Sequence, residues 1–274
     1  MEQIVRSLKS AALVVVAAVV FVLGTAFLMA ADATLTPSSL GASSDLAQAA
    51  RWLQFLAAAT ALAAVCTAGW ELVLAREWTG ALEIAAAALG TLMITIGMLA
   101  SAASNGSNPA AAVIGAVGVG MWALLVLSRA ARASLAEQAS QQPNAPHQQA
   151  QLWLAAAAGL FVLAIGYGFT SAAGSRGPGI AAGILEAGGV AVLAWSLMAA
   201  RERGYLRTRP VPGVLAGLAL LAASFLAAAI VAGLAFGTLT ALGAGLAVTA
   251  ALELAAVVVL GLAGWTRVRE LYRG

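Results

Sequence analysis

The sequence predicts an all-α integral membrane protein of eight transmembrane helices. Three observations carry that reading. The 274 residues are 62% hydrophobic and 9% charged, with a mean hydropathy of +0.95. A soluble domain carries roughly 25% charged residues, so water cannot be the solvent for this much apolar surface. Apolar runs of 19 to 25 residues recur eight times, each long enough for a helix across a hydrocarbon core of about 30 Å. The basic residues then fall almost wholly on one side of the stack those runs would make.

In order, the spans are Ala11–Ala30, Trp52–Ala75, Ala81–Ala103, Ala110–Ser128, Leu152–Ala173, Gly179–Ala200, Gly213–Gly237 and Ala241–Trp265. The first follows Arg6 and Lys9 and ends near Ala31-Asp32-Ala33, a small-x-small pattern. That resembles a signal peptide, but a 20-residue run exceeds the roughly 7–15 of a signal core, so it is read as an uncleaved span. Breaks between spans carry turn residues: Pro37 with Ser38-Ser39, then Asn105, Gly106, Asn108 and Pro109, then Gly174, Gly177 and Pro178. Pro210 and Pro212 open the seventh span, where a first helical turn tolerates proline. The last two spans are separated by Gly237 to Thr240 alone, which makes them antiparallel neighbours.

The one long polar segment, Arg129 to Gln151, divides four spans from four. Its start, up to Ala139, reads as a continuation of the fourth helix into water, and the remainder, with Pro143 and Pro146, as a tether. The expected organisation is an N-terminal four-helix half (1–130), a polar linker (131–150) and a C-terminal four-helix half (151–274). Repeated hairpins are a second way to divide the chain. Ile96-Gly97 precedes Pro109 by the spacing that separates Ile165-Gly166 from Pro178, with Ser-Ala-Ala inside both intervals. Units of two or four spans enter a membrane in the same direction, which implies parallel pseudo-symmetry.

With the N-terminus in the cytoplasm, 12 of the 14 lysines and arginines lie inside, and Arg51 and Arg176 outside. The positive-inside rule therefore gives a multi-pass protein of the cell membrane with both termini and the linker cytoplasmic. Trp70, Trp122, Trp195 and Trp265 each stand late in an even-numbered span and shortly before an arginine. They read as headgroup-level anchors.

Small residues four apart mark helix-packing faces: Gly179 with Gly183, extended by Ala187, and Gly213 with Gly217. Such faces serve packing within the bundle or docking on other membrane subunits or a second copy.

Four acidic residues fall in apolar segments. Glu71 is one turn from Arg76, and Glu83 lies in the expected first turn of the third span, against the positive end of the helix dipole. Both read as structural. Glu186 stands eight residues after Pro178, and Glu253 twelve before Trp265, which puts both near mid-membrane. No lysine or arginine lies at that depth. Insertion scales set an acidic residue there at about 2.5–3.5 kcal/mol. Each is therefore either a neutral carboxyl in an interhelical hydrogen bond, with Thr249 the candidate partner of Glu253, or a carboxylate on a cation or proton path.

Other chemistry finds no footing. Cys66 and His147 are single and isolated, which excludes a disulfide, a cysteine metal cluster and bis-histidine haem. No phosphate loop, metal-ligand spacing or cofactor motif is present, and the loops are too short for an extramembrane active site. No enzyme and no cofactor are expected. A net charge of +3 without a clustered basic face gives no reason for a nucleic-acid partner. The first functional expectation is a non-catalytic helical subunit or scaffold of a larger membrane complex. The alternative is a small-solute or ion/proton-coupled transporter using Glu186 and Glu253. A weaker third is a quinone-facing membrane anchor. A solid core favours the subunit; a polar cavity reaching both glutamates favours transport.

The topology has a direct test. Cysteines replacing Ser107 or Ser175 should be labelled from outside the cell, and one replacing Gln142 should not; external labelling at Gln142 would reverse the orientation.

Overall fold

The computed structural model describes residues 2–34, 40–74, 76, 78–140, 146–169, 176–204, 211–234 and 238–273. These form eight α-helices: α1 (Glu2–Ala33), α2 (Leu40–Leu74), α3 (Trp78–Ala103), α4 (Ala110–Ser140), α5 (Pro146–Phe169), α6 (Arg176–Glu202), α7 (Val211–Gly233) and α8 (Leu239–Arg273). All eight are long and apolar enough to cross a bilayer, the build of a polytopic membrane protein. The breaks at Pro37–Ser39, Gly174 and Gly237, the second Ser-Ala-Ala, Pro143 of the linker, and Pro210 lie outside the described residues.

The sequence sets the helix ends where polar residues can satisfy orphan backbone groups. At the end of α3, Asn105 and Gly106 adopt left-handed φ of 51° and 76°, and the Gly106 N–H reaches back to the Ser101 carbonyl at 2.7 Å. Asn108 then caps α4, its side-chain oxygen accepting the Ala110 N–H at 3.0 Å. Thr238 caps α8 through the Ala241 N–H at 3.2 Å. Helix α4 runs on to Ser140, so it continues past the fourth apolar run as expected.

The arrangement is a ring. Each helix packs on its neighbours in the chain, and α8 returns to pack on α1; among the described residues no other helices approach. This corrects the grouping into two four-helix halves. Two separate bundles need α1 beside α4 and α5 beside α8. Instead α4 packs along α5, across the polar linker, as closely as helices joined by tight turns.

Neighbours are antiparallel throughout. Ser43 of α2 donates to the Ala31 carbonyl of α1, Gln48 of α2 to Ala102 of α3, and Arg129 of α4 lies over the Trp153 ring of α5. The start of α1, the end of α8, the end of α4 and the start of α5 therefore share one end of the ring, here called the linker end. The loop holding Asn105 and Asn108 lies at the opposite end.

Glycine and alanine form the seams. A Cβ on Gly118 would stand 2.6 Å from the Gly90 carbonyl oxygen, and one on Gly90 3.0 Å from that of Gly118. The same reciprocal contact joins α5 to α6, with Gly189 against Gly159 at 2.6 and 2.9 Å. Only glycine permits these approaches, which supply the dispersion contact membrane helices need when apolar burial gives no drive between them. Of the expected packing pairs, Gly183 meets the Phe225 carbonyl and Ala229 of α7, while Gly213 and Gly217 meet Ala263 and Leu260 of α8. Gly179 is half-buried.

Large apolar side chains cover the outside, among them Leu56, Leu82, Ile184, Ile230 and Leu262. Trp70, Trp195 and Trp265 are exposed there too. Trp122 differs: its indole lies against Gly90 of α3 and is half-buried. Ser43 apart, buried hydroxyls among the described residues are satisfied within their own helices, as Thr25 is by the Phe21 carbonyl at 3.0 Å and Thr91 by that of Ala87 at 2.8 Å.

Adjacent glycines test the seams. Gly189 is locked against α5, whereas a Cβ on Gly188 would meet nothing within 4 Å. Gly189→Val should destabilise the protein in detergent by about 1–3 kcal/mol or more, the cost of overpacking, and Gly188→Val by under about 0.5 kcal/mol. Equal thermal midpoints for the two variants would remove the seam from the account.

Candidate functional site

Because the ring is closed, it has an inside. A central cavity of about 420 Å³ receives a side chain from every helix: Phe21, Gln54, Ile94 and Met98, Val119, Leu163 and Tyr167, Glu186, Phe225 and Glu253 in order from α1 to α8. Both mid-membrane glutamates face this one space. Glu186 is buried, at 6% exposure, and Glu253 is half-buried.

The seams set their height. Gly183 of α6 rests on Phe225 and Ala229 of α7, and Gly217 of α7 on Ala256 and Leu260 of α8. Glu186 is three residues beyond Gly183, and Glu253 three before Ala256. Counted along the antiparallel helices, both come level with Ser224 and Phe225. At 1.5 Å rise per residue their heights agree to within about half a turn. The two carboxyls thus flank α7 from either side and open on the lumen beside the Phe225 ring.

Glycine again makes the room. A Cβ on Gly166 of α5 would fall 2.8 Å from the Glu186 Cγ, so the glutamate side chain lies across bare backbone. A Cβ on Gly115 of α4 would run into the Tyr167 ring, so Tyr167 is seated in the same manner on the other side of α5.

Among the described residues neither carboxyl has a hydrogen-bond or ion-pair partner. The expected partnership of Thr249 with Glu253 is not formed: the Thr249 hydroxyl donates one turn back to the Gly245 carbonyl at 3.2 Å. A threonine in a helix can always reach the carbonyl four residues before it, and here that local acceptor wins.

Two further cavities flank the central one. Toward the Asn108 end lies a vestibule of about 490 Å³, lined by Arg51, Gln54, Met98, Ser101, Asn108 and Tyr167 together with backbone of the α3–α4 loop. It shares Gln54, Met98 and Tyr167 with the central cavity, so these three form the partition between them. Its rim is tied down by Arg51, which donates to the Asn105 side-chain oxygen. Toward the linker end lies a cavity of about 520 Å³ with Leu152, Trp153, Ala156, Leu193, Leu197 and Leu218 on its walls. Ala156, Leu193 and Leu218 each stand seven residues from Leu163, Glu186 and Phe225 respectively, two turns along the same helix face. This apolar cavity therefore lies along the same faces of α5, α6 and α7, about 10 Å nearer the linker end.

The other acidic residues lie away from this axis. Glu83 is in the second turn of α3, since that helix starts at Trp78. It binds Arg129 through Oε2 at 2.7 Å and Arg132 through Oε1. Glu71 has no ion pair among the described residues. Also among these, no cluster of three His, Cys, Asp or Glu could hold a metal ion.

Sequence reasoning found the two glutamates and missed their company. Gln54, a lone amide in an apolar span, and Tyr167, directly after the repeated Ile-Gly pair, were the available signals. No protein-family model, no curated protein and no solved structure matches this chain.

Proposed function

We propose that the chain is a membrane transporter that moves a cation or proton through the ring's lumen, with Glu186 and Glu253 as the mid-membrane site. One observation carries this reading: both carboxyls, unpaired among the described residues, open on a single cavity to which all eight helices contribute. Burying two such carboxyls with no partner costs roughly 2.5–3.5 kcal/mol each on insertion scales, together comparable to the stability of a whole domain of about 5–15 kcal/mol. A cation or proton that visits the site offsets that cost in transit.

The surroundings support the same reading. The polar vestibule brings hydration to Gln54 and Tyr167, one partition away from the carboxyls. A scaffold subunit has no use for a hollow interior, and the quinone-anchor reading rested on two four-helix bundles that the ring does not contain. The protein performs no covalent chemistry in this account. It works in the cell membrane with the linker end in the cytoplasm, and its immediate partner is lipid.

Flux assays in proteoliposomes test the proposal. Under an imposed membrane potential or pH gradient, the wild-type protein should carry proton or cation current. Glu186→Gln and Glu253→Gln should each reduce it at least tenfold and together abolish it. Thermal unfolding should be unchanged, since the amide keeps the volume. Variants that carry wild-type current would exclude these residues from the pathway.

A further inference from the structure

We propose that the central cavity binds a monovalent organic cation with a flat apolar body, held by Glu186 and Glu253 and by the rings of Phe21, Tyr167 and Phe225. This names the substrate class of the transport site, and it rests on that reading for any movement of the ligand after it binds.

Three features of the interior favour such a ligand over a bare ion. The first is size. A volume of about 420 Å³ lies in the range of small-molecule pockets, about 300–1,000 Å³, and is far larger than an inorganic ion requires. The second is the lining. An alkali or alkaline-earth ion exchanges its water for five or more converging oxygens. The central cavity has Gln54, Tyr167 and the two glutamates as side-chain oxygen donors, and the remaining positions are Phe, Ile, Met, Val and Leu. Carboxyls set among aromatic faces and a polarizable methionine, Met98, are the chemistry that holds a cation whose charge is spread over an apolar frame.

The third is the pair of approaches. At the vestibule stands Arg51, fixed to Asn105, a positive charge that opposes a small inorganic cation coming from that end. The opposite approach is apolar, with Trp153, Leu193 and Leu197 on its wall. A hydrated ion gains nothing there. An aromatic cation loses little on leaving water, because its body is apolar, and it reaches the carboxyls two turns further in. Glu186 is nine-tenths buried and aimed into the cavity without a partner among the described residues, so a cationic visitor supplies a counter-charge that none of those residues provides.

N-methyl-4-phenylpyridinium is the probe, with neutral 4-phenylpyridine at pH 8 as its uncharged counterpart. Titration calorimetry on the purified full chain in detergent should show saturable binding of the cation and at least tenfold weaker binding of the neutral molecule. Glu186→Gln and Phe225→Leu should each weaken the cation at least tenfold, while Phe225→Tyr, which keeps the ring, should retain binding within about threefold. If Phe225→Leu fails to fold, Phe21→Leu makes the same test. Sodium or potassium chloride at 100-fold excess over the probe should not displace it.

Absence of binding, equal binding of 4-phenylpyridine, displacement by potassium at concentrations similar to the probe's, or indifference to loss of the rings would overturn the proposal. The failures are separable. Glutamate-dependent proton or potassium flux without probe binding would sink the organic cation and leave transport standing. Glutamate-dependent probe binding with no flux of any kind would do the reverse.

Discussion

A carboxyl deep in a long apolar helix must face something other than lipid, and this chain carries two, with no basic residue beside them among the described residues. That constraint organises the structure. A solid bundle could meet it with an interhelical hydrogen bond, but the nearby hydroxyl of Thr249 is committed to the Gly245 carbonyl of its own helix. The chain meets it by enclosing a space. Every helix contributes to the wall, and Glu186 and Glu253 reach the interior at matching heights on either side of Phe225.

The hollow exists because the seams are narrow. Where Gly90 meets Gly118, and Gly159 meets Gly189, neighbouring helices touch backbone to backbone. Small residues at those contacts leave the large side chains two places to go. Leu, Ile, Val and Trp cover the outer face, and Phe21, Met98, Tyr167 and Phe225 turn inward. The same residue type also carves the site itself: Gly166 lies beneath Glu186, and Gly115 beneath the Tyr167 ring. Packing and the shape of the cavity are therefore linked residue by residue, because a methyl group at a seam position displaces a lining side chain or parts two helices.

The spans were legible because hydropathy over some 20 residues is a strong signal. Within the described residues the eight expected runs fall on the eight helices, and α4 continues to Ser140. Ring closure was not legible. Alanine and glycine are scattered round every helix of this chain, so no apolar stripe distinguishes the face that meets protein from the face that meets lipid. A long polar linker suggested a division between α4 and α5, yet sequence carries no information on whether α8 returns to α1. Glu186 and Glu253 stood out because a charge in an apolar run is costly wherever it points. Gln54 and Tyr167 are uncharged and come from helices that are not neighbours in the ring, so only the fold brings them together. Glu83 was read as a partner of its own helix dipole, whereas Arg129 and Arg132, 46 and 49 residues away, hold it.

Cysteine cross-linking of α1 tests the closed ring most directly. In a Cys66→Ala background, cysteines would be introduced at matched heights on α1 and α8, and in a second set on α1 and α4. With an oxidant in native membranes, the α1–α8 pairs should form disulfides and the α1–α4 pairs should not. Disulfides between α1 and α4, with none between α1 and α8, would show two separate bundles and leave the two glutamates without a common interior.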